Sequence, residues 1–175
     1  MRVIAVFGSS KLPPDHPDYA LAKRWGELIG ARGFAVASGG YDGLMEAVSA
    51  GARKKGALVL GVTAPPVFPH RDGPNPHVDL ELPSPSLLSR IERMLDLAEA
   101  FLALPGGIGT WTEIMAAWNL AYIRWLQGRA YKPLGLHARW KSLIRPGLEV
   151  APEHLDLLQF IATEAELSSF LDRLG

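Results

Sequence analysis

The chain predicts an α/β fold, an open parallel sheet with helices on both faces. Short apolar runs rich in β-branched residues alternate with longer runs whose apolar residues recur at helical spacing, the pattern of strands joined by crossover helices. The strand runs are continuously apolar, as strands covered on both faces are. Three of them end in glycines that lead into a helix.

Residues 2–8, RVIAVFG, form the first strand, ending at Gly8, and the loop GSSKLPPDHP follows. From Asp18, apolar residues at Ala22, Trp25, Leu28 and Ile29 mark a helix, and Gly33 supplies its stop. FAVASGG is the second strand and GLMEAVSAGARKKG the second helix, again ended by glycine. ALVLGVTA is a third strand, followed by a proline-rich loop, PPVFPHRDGPNP, and a short apolar piece, HVDLEL. SPSLLSRIERMLDLAE is a helix with Ser84 or Ser86 as N-cap. AFLALPGG is a strand, TWTEIMAAWNLAYIRWLQG a long helix ending at Gly128, and KPLGLH a further strand. The tail from KSLIRPGLEV onward holds two short helices around LQFIA, a last edge strand. The crossovers are expected to be right-handed. With no internal repeat or linker, residues 1–175 are expected to form a single Rossmann-like nucleotide-binding domain.

A chain of 175 residues, 48% hydrophobic and 21% charged, is long enough for a full core. Formal net charge is zero, so no bulk electrostatic attraction to nucleic acid or an anionic membrane is expected. Cysteine is absent, which excludes disulfides, thiol catalysis and cysteine-based metal sites. No apolar run reaches the roughly 20 residues that span a bilayer, and the start, MRVIAVFGSS, reads as a strand rather than a signal peptide. A cytoplasmic protein is expected. His16, His70, His77, His137 and His154 show no HxxxH or HExxH spacing, so no metal is expected.

The glycine-rich strand ends are FGSS (7–10), SGGYDGLME (38–46) and LPGGIGTWTE (104–113). In open α/β sheets, ligands bind at the carboxyl ends of the strands, and the free N–H groups of a helix start favour an anion, usually phosphate. The sequences do not fit a P-loop, and the first strand is followed by GSS rather than GxGxxG. ATPase and ordinary dinucleotide-oxidoreductase readings are disfavoured accordingly.

SGGYDGLMEAVSAGA together with LPGGIGTWTEI resembles the LONELY GUY family of nucleoside 5′-monophosphate phosphoribohydrolases, long mislabelled as lysine decarboxylases. The family's PGGxGTxxE hallmark is complete here from Pro105 to Glu113, and its second hallmark is present as Gly39-Gly40 and Gly43-Leu44-Met45. The resemblance implies a catalytic pair, Glu113 and Arg90, with Arg90 in a segment similar to the family's M-x-x-R-K-x-x-M. There Leu87 replaces the first Met and Ile91 the Lys, while Met94 agrees; Arg93 lies one turn further on. The resemblance also implies a phosphate and nucleotide cradle from Gly8, Ser9, Gly39, Gly40, Gly43, Met45, Gly106, Gly107, Gly109 and Thr110, no cofactor, and a homodimer packed through helices near the site. Where the family often carries two adjacent acids, Thr112 precedes Glu113, and the proline-rich loop also departs from the pattern; that loop is expected to line the base pocket.

Breaking an N-glycosidic bond passes through an oxocarbenium-like transition state, which a carboxylate can stabilise while holding the attacking water. Glu113 is expected in the first turn of its helix, where the dipole favours the ionised form. The plainer readings are a dipole-favoured acid at Glu113, a solvated arginine at Arg90, loop or N-cap serines at Ser9 and Ser10, a turn residue at Asp42 and an exposed helix acid at Glu46. Trp111, Met115, Trp118, Tyr122 and Trp125 share one helix face, which serves either the core or a dimer interface. The expected reaction is hydrolysis of a purine nucleoside 5′-monophosphate, AMP or an N6-modified relative such as a cytokinin riboside monophosphate. The alternative is a non-catalytic carrier of a phosphorylated ligand such as molybdenum cofactor. A pyridoxal-phosphate lysine decarboxylase is rejected, because none of Lys11, Lys23, Lys54, Lys55, Lys132 and Lys141 sits in a recognisable cofactor context.

Overall fold

The computed structural model describes residues 1–143 and 149–175. Strand β1 (Val3–Phe7) leads through a loop to α1 (Pro17–Ala31), then β2 (Ala35–Ser38), α2 (Leu44–Lys54) and β3 (Val59–Gly61). A long connection carries β4 (Leu80–Glu81) and reaches α3 (Leu87–Leu97), β5 (Ala100–Ala103), α4 (Ile108–Leu126) and β6 (Leu134–His137). After a 3-10 turn (Ala138–Leu143) come α5 (Pro152–Leu155), β7 (Leu158–Ile161) and α6 (Glu164–Asp172). Among the described residues the seven strands are parallel in the order β4-β3-β2-β1-β5-β6-β7, a Rossmann-like sheet. The chain moves outward from β1 in one direction as far as β4, then returns to place β5 on the other side of β1. The crevice of such a sheet lies at that reversal, between the carboxyl ends of β1 and β5.

Alternation along β1 divides the interior into two cores. Val3, Ala5 and Phe7 face α3 and α4, whereas Ile4 and Val6 face α1, α2 and α6. α1 and α2 cross closely because both carry glycine at the contact. A Cβ on Gly26 would stand 2.1 Å from the Val48 carbonyl oxygen, and one on Gly51 would stand 1.9 Å from that of Lys23.

Several local expectations shift. HVDLEL forms only the two-residue strand β4, an exposed edge beside β3. Ser86 rather than Ser84 caps α3, exchanging hydrogen bonds with Ser89 in a capping box, and Ser84 is buried. His16, not Ser9 or Ser10, caps α1, its Nδ1 accepting from the Asp18 N–H at 3.1 Å. α4 begins at Ile108, two residues before the expected Thr110. The two short helices around an edge strand are present in the tail, of which residues 144–148 lie outside the described residues.

Three residues of the α4 stripe, Trp111, Trp118 and Tyr122, are covered by the chain's own C-terminal part. Trp111 stacks on Trp140 at 5.4 Å, the Trp118 Nε1–H donates to the His154 carbonyl at 2.9 Å, and Tyr122 meets the His154 ring edge-on at 4.6 Å. Met115 and Trp125 of the stripe remain exposed, as do Leu120, Ile123 and Leu126 elsewhere on α4. Among the described residues, no helix is long and apolar enough to cross a membrane.

Candidate active site

β1 and β5 end side by side, and their following loops are tied together where the Ser9 N–H donates to the Pro105 carbonyl at 3.1 Å. Between them and α3 opens a cleft of about 370 Å³, within the range of roughly 300 to 1,000 Å³ typical of small-molecule sites.

One wall is the start of α4. Gly107 is its N-cap and offers no side chain to the first-turn N–H groups. A Cβ on Gly107 or Gly109 would have no protein atom within 4 Å, so both present bare backbone to open space. Thr110 is buried and lines the cleft beside them. Gly8 and Ser9 line it from the β1 loop, with Ser10 and Lys11 following. Gly39 and Met45 line it from β2 and α2.

Three expected cradle glycines do other work and do not line the cleft. Gly106 makes room for Thr110, whose Oγ1 would lie 2.2 Å from an added Cβ. Gly40, at φ +74, packs on Gly61 and Thr63; Gly43, at φ +69, caps α2 with its Cα against the Ser9 carbonyl, 2.5 Å from where a Cβ would sit.

Arg90 and Glu113 both line this cleft and both are buried, 6% and 8% exposed. Arg90 projects from α3 one turn beyond Leu87, on the same side, and Leu87 and Ile91 also line the cleft. Its Nε–H donates to the Val62 carbonyl at 2.8 Å, and Nη2 reaches the Met45 sulfur at 4.0 Å. Gly39 is required for this pose, since a Cβ there would lie 1.7 Å from Nη2. Arg93, by contrast, is exposed and donates to the Pro83 carbonyl at 2.9 Å.

Glu113 lies three and four residues beyond Thr110 and Gly109, hence on their side of α4. It is the sixth residue of the helix, past the first turn, so the expected dipole stabilisation of its charge is replaced by a stronger opposing effect. Burial pushes its carboxyl up from 4.5 to about 7, with the Arg90 charge pulling partly back. Burial likewise lowers the Arg90 guanidinium, and Glu113 opposes that shift. No ion pair joins the two within 4.0 Å. They interact across the cleft and leave donors and acceptor available to a guest.

The sequence did not single out Phe68, in the proline-rich loop, although it lines the cleft. Asp42 pairs with Arg71 at 3.2 Å, and Glu46 hydrogen-bonds Tyr19, raising the Tyr19 pKa together with burial. Among the described residues, no three His, Asp or Glu side chains gather into a metal-ligating group.

The chain is 36% identical over 112 residues to a cytokinin riboside 5′-monophosphate phosphoribohydrolase of Mycobacterium marinum, a match covering 63% of this chain and 59% of the relative. It is 31% identical over 129 residues to the enzyme of the same name from Mycobacterium tuberculosis, covering 73% of this chain and 66% of that one. The match thus spans about three fifths to two thirds of these relatives' length. The molybdenum cofactor binding protein of Rippkaea orientalis shares the fold, with a TM-score of 0.75 at 21% identity over 99% of this chain and 96% of that one. The model of the SLOG cluster4 family matches residues 1–127, and the chain belongs to that family.

Proposed function

We propose that the protein hydrolyses the N-glycosidic bond of a purine nucleoside 5′-monophosphate, AMP or an N6-modified relative, to free base and ribose 5-phosphate. One observation carries the reading: Arg90 and Glu113 are both buried in one cleft, unbonded to each other, opposite a bare helix start. The relatives named as phosphoribohydrolases support it.

In this reading the phosphate rests on the first-turn N–H groups of α4, where Gly107 and Gly109 leave the backbone accessible. Arg90 presents its free Nη donors to the phosphate or ribose and fixes the pose. Glu113 faces the sugar. Its carboxylate stabilises positive charge developing at the anomeric carbon and takes a proton from the attacking water. The water oxygen bonds to that carbon, the bond electrons leave with the base nitrogen, and a carboxyl titrating near 7 can return the proton to the departing base.

A carrier of a phosphorylated ligand needs the anion cradle but gains nothing from Glu113. A buried carboxylate costs stability, and hydrolysis gives it a use, stabilising the anomeric cation and activating water, that a carrier lacks, so it favours the hydrolase. We further place a homodimer contact on α4, through the exposed Met115, Ile123, Trp125 and Leu126. Chromatography of products from AMP and from adenosine tests the reaction. Release of adenine from AMP alone supports it; no release from any monophosphate, with tight binding of a phosphorylated pterin, supports the carrier.

A further inference from the structure

The connection from β3 to α3 is built as a strap. Asn75, 5% exposed, donates from its backbone N–H and its Nδ2 to the Gly40 carbonyl at 2.7 and 3.1 Å, and from Nδ2 to the Tyr41 carbonyl at 3.0 Å. Its Oδ1 accepts from the His77 N–H at 3.1 Å. The Ala64 N–H donates to the Tyr41 hydroxyl at 2.9 Å. These bonds fix both arms of the strap to the β2–α2 turn. Between them, a tight turn in which the Phe68 N–H donates to Ala64 and the Arg71 N–H to Phe68, both at 3.1 Å, presents Phe68 to the cleft.

The Phe68 ring is held on several sides. It meets Tyr41 edge-on at 5.5 Å and 75°. The Arg71 guanidinium lies 4.5 Å from the Tyr41 ring and 5.6 Å from the Phe68 ring, and its Nη1 pairs with Asp42 at 3.2 Å. The Arg90 guanidinium lies 5.9 Å from the same Phe68 ring. Of the two aromatic residues in the cleft lining, Phe7 is sealed in the core at 1% exposed, whereas Phe68 is only half-buried and keeps ring surface free. With Leu87 and Ile91 it forms the apolar part of the lining, set against the glycines, serines and Thr110 of the polar part.

We propose that Phe68 is the face on which the nucleobase stacks, and that Arg71 is a positioning residue that holds the ring. The assignment rests on the nucleotide reading given above. A stacked base is bound by its flat face and not by its edges, so a purine, with the larger face, binds better than a pyrimidine, and substituents on the purine edge are tolerated.

Calorimetric titration of the full chain with AMP, CMP and ribose 5-phosphate tests this, because ribose 5-phosphate fills the cradle and lacks a base. Phe68→Leu, which keeps apolar bulk and removes the π face, is expected to weaken AMP by about tenfold, the order of one base–aromatic stack. It leaves ribose 5-phosphate unchanged and narrows the AMP-to-CMP ratio, while Phe68→Trp retains AMP affinity. Arg71→Met weakens AMP without touching ribose 5-phosphate, and Arg71→Lys restores it by keeping the cation over the rings. If Phe68→Leu weakens AMP and ribose 5-phosphate alike, or neither, Phe68 is not the stacking face. If the unsubstituted protein binds neither compound, the nucleotide reading fails and this assignment with it.

Discussion

Replacing Gly109 by alanine separates a glycine kept for a ligand from one kept for the fold. Gly109 is the second residue of α4, and an added Cβ meets no protein atom within 4 Å. The methyl group therefore costs nothing in packing, and exchanging Gly for Ala in a helix gains up to about 1 kcal/mol. For a chain of 175 residues, a gain of about 1 kcal/mol raises Tm by roughly 2–4 °C. With phosphate bound as proposed, the same methyl stands where the phosphate approaches the first-turn N–H groups. Losing one hydrogen bond to a charged group costs about 1.5–3 kcal/mol, which is a loss in AMP affinity of roughly 10- to 150-fold. Gly106→Ala behaves in the opposite way. Its Cβ would sit 2.2 Å from the Thr110 Oγ1, so the buried threonine must move, at about 1–3 kcal/mol of stability. Thermal unfolding and AMP titration on the same samples read both quantities. A Gly109→Ala protein that binds AMP as the unsubstituted chain does, or that unfolds at lower temperature, refutes the reasoning.

Glu113 makes stability depend on pH with a fixed sign. Its folded pKa is raised from 4.5 to about 7, so between those values the folded chain keeps a proton that the unfolded chain releases, and stability falls as pH rises through that window. The full penalty above pH 7 is about 3 kcal/mol, so Glu113→Gln is expected to be more stable than the parent in urea at pH 8 and equal to it near pH 4.5; equal differences at both pH values contradict this. Asn75→Ala leaves the Gly40 and Tyr41 carbonyls without the side-chain donor and is expected to cost about 1–3 kcal/mol in urea unfolding; an effect within 0.5 kcal/mol removes the strap as a rigid element. Sedimentation of the parent at about twice 19.0 kDa, with Leu126→Glu shifted to the monomer, supports the α4 contact. An unshifted dimer places the contact elsewhere.

The sheet was legible because its signals are local. The β1 run could only be a buried strand, and Gly33 and Gly128, at φ +77 and +63, end their helices in a conformation that glycine adopts freely. The PGGIGT turn and Glu113 were legible for the same reason: a bare strand-to-helix turn is written in consecutive residues. What stayed hidden depends on residues far apart in sequence. Gly26 meets Val48, and Gly51 meets Lys23, only when α1 and α2 cross. Phe68, Arg71 and Asn75 lie in a proline-rich stretch with no period, and their roles come from Tyr41 and Gly40, about thirty residues earlier. The protonation of Glu113 was misread because a helix start predicts a stabilised charge, whereas the tertiary burial that overrides it leaves no mark in the local sequence. The tryptophan stripe was seen as one face, but its cover, Trp140 and His154, comes from the tail.

In the proposed reaction, Arg90 and Glu113 cleave a glycosidic bond in the nucleotide held between them. A single-turnover reaction with AMP, run beside calorimetric binding for the parent and for Glu113→Gln, tests it most directly. The parent is expected to release adenine and ribose 5-phosphate, while Glu113→Gln binds AMP at least as tightly and releases none. Equal release by the two proteins, or AMP bound by the parent and left intact, would contradict it.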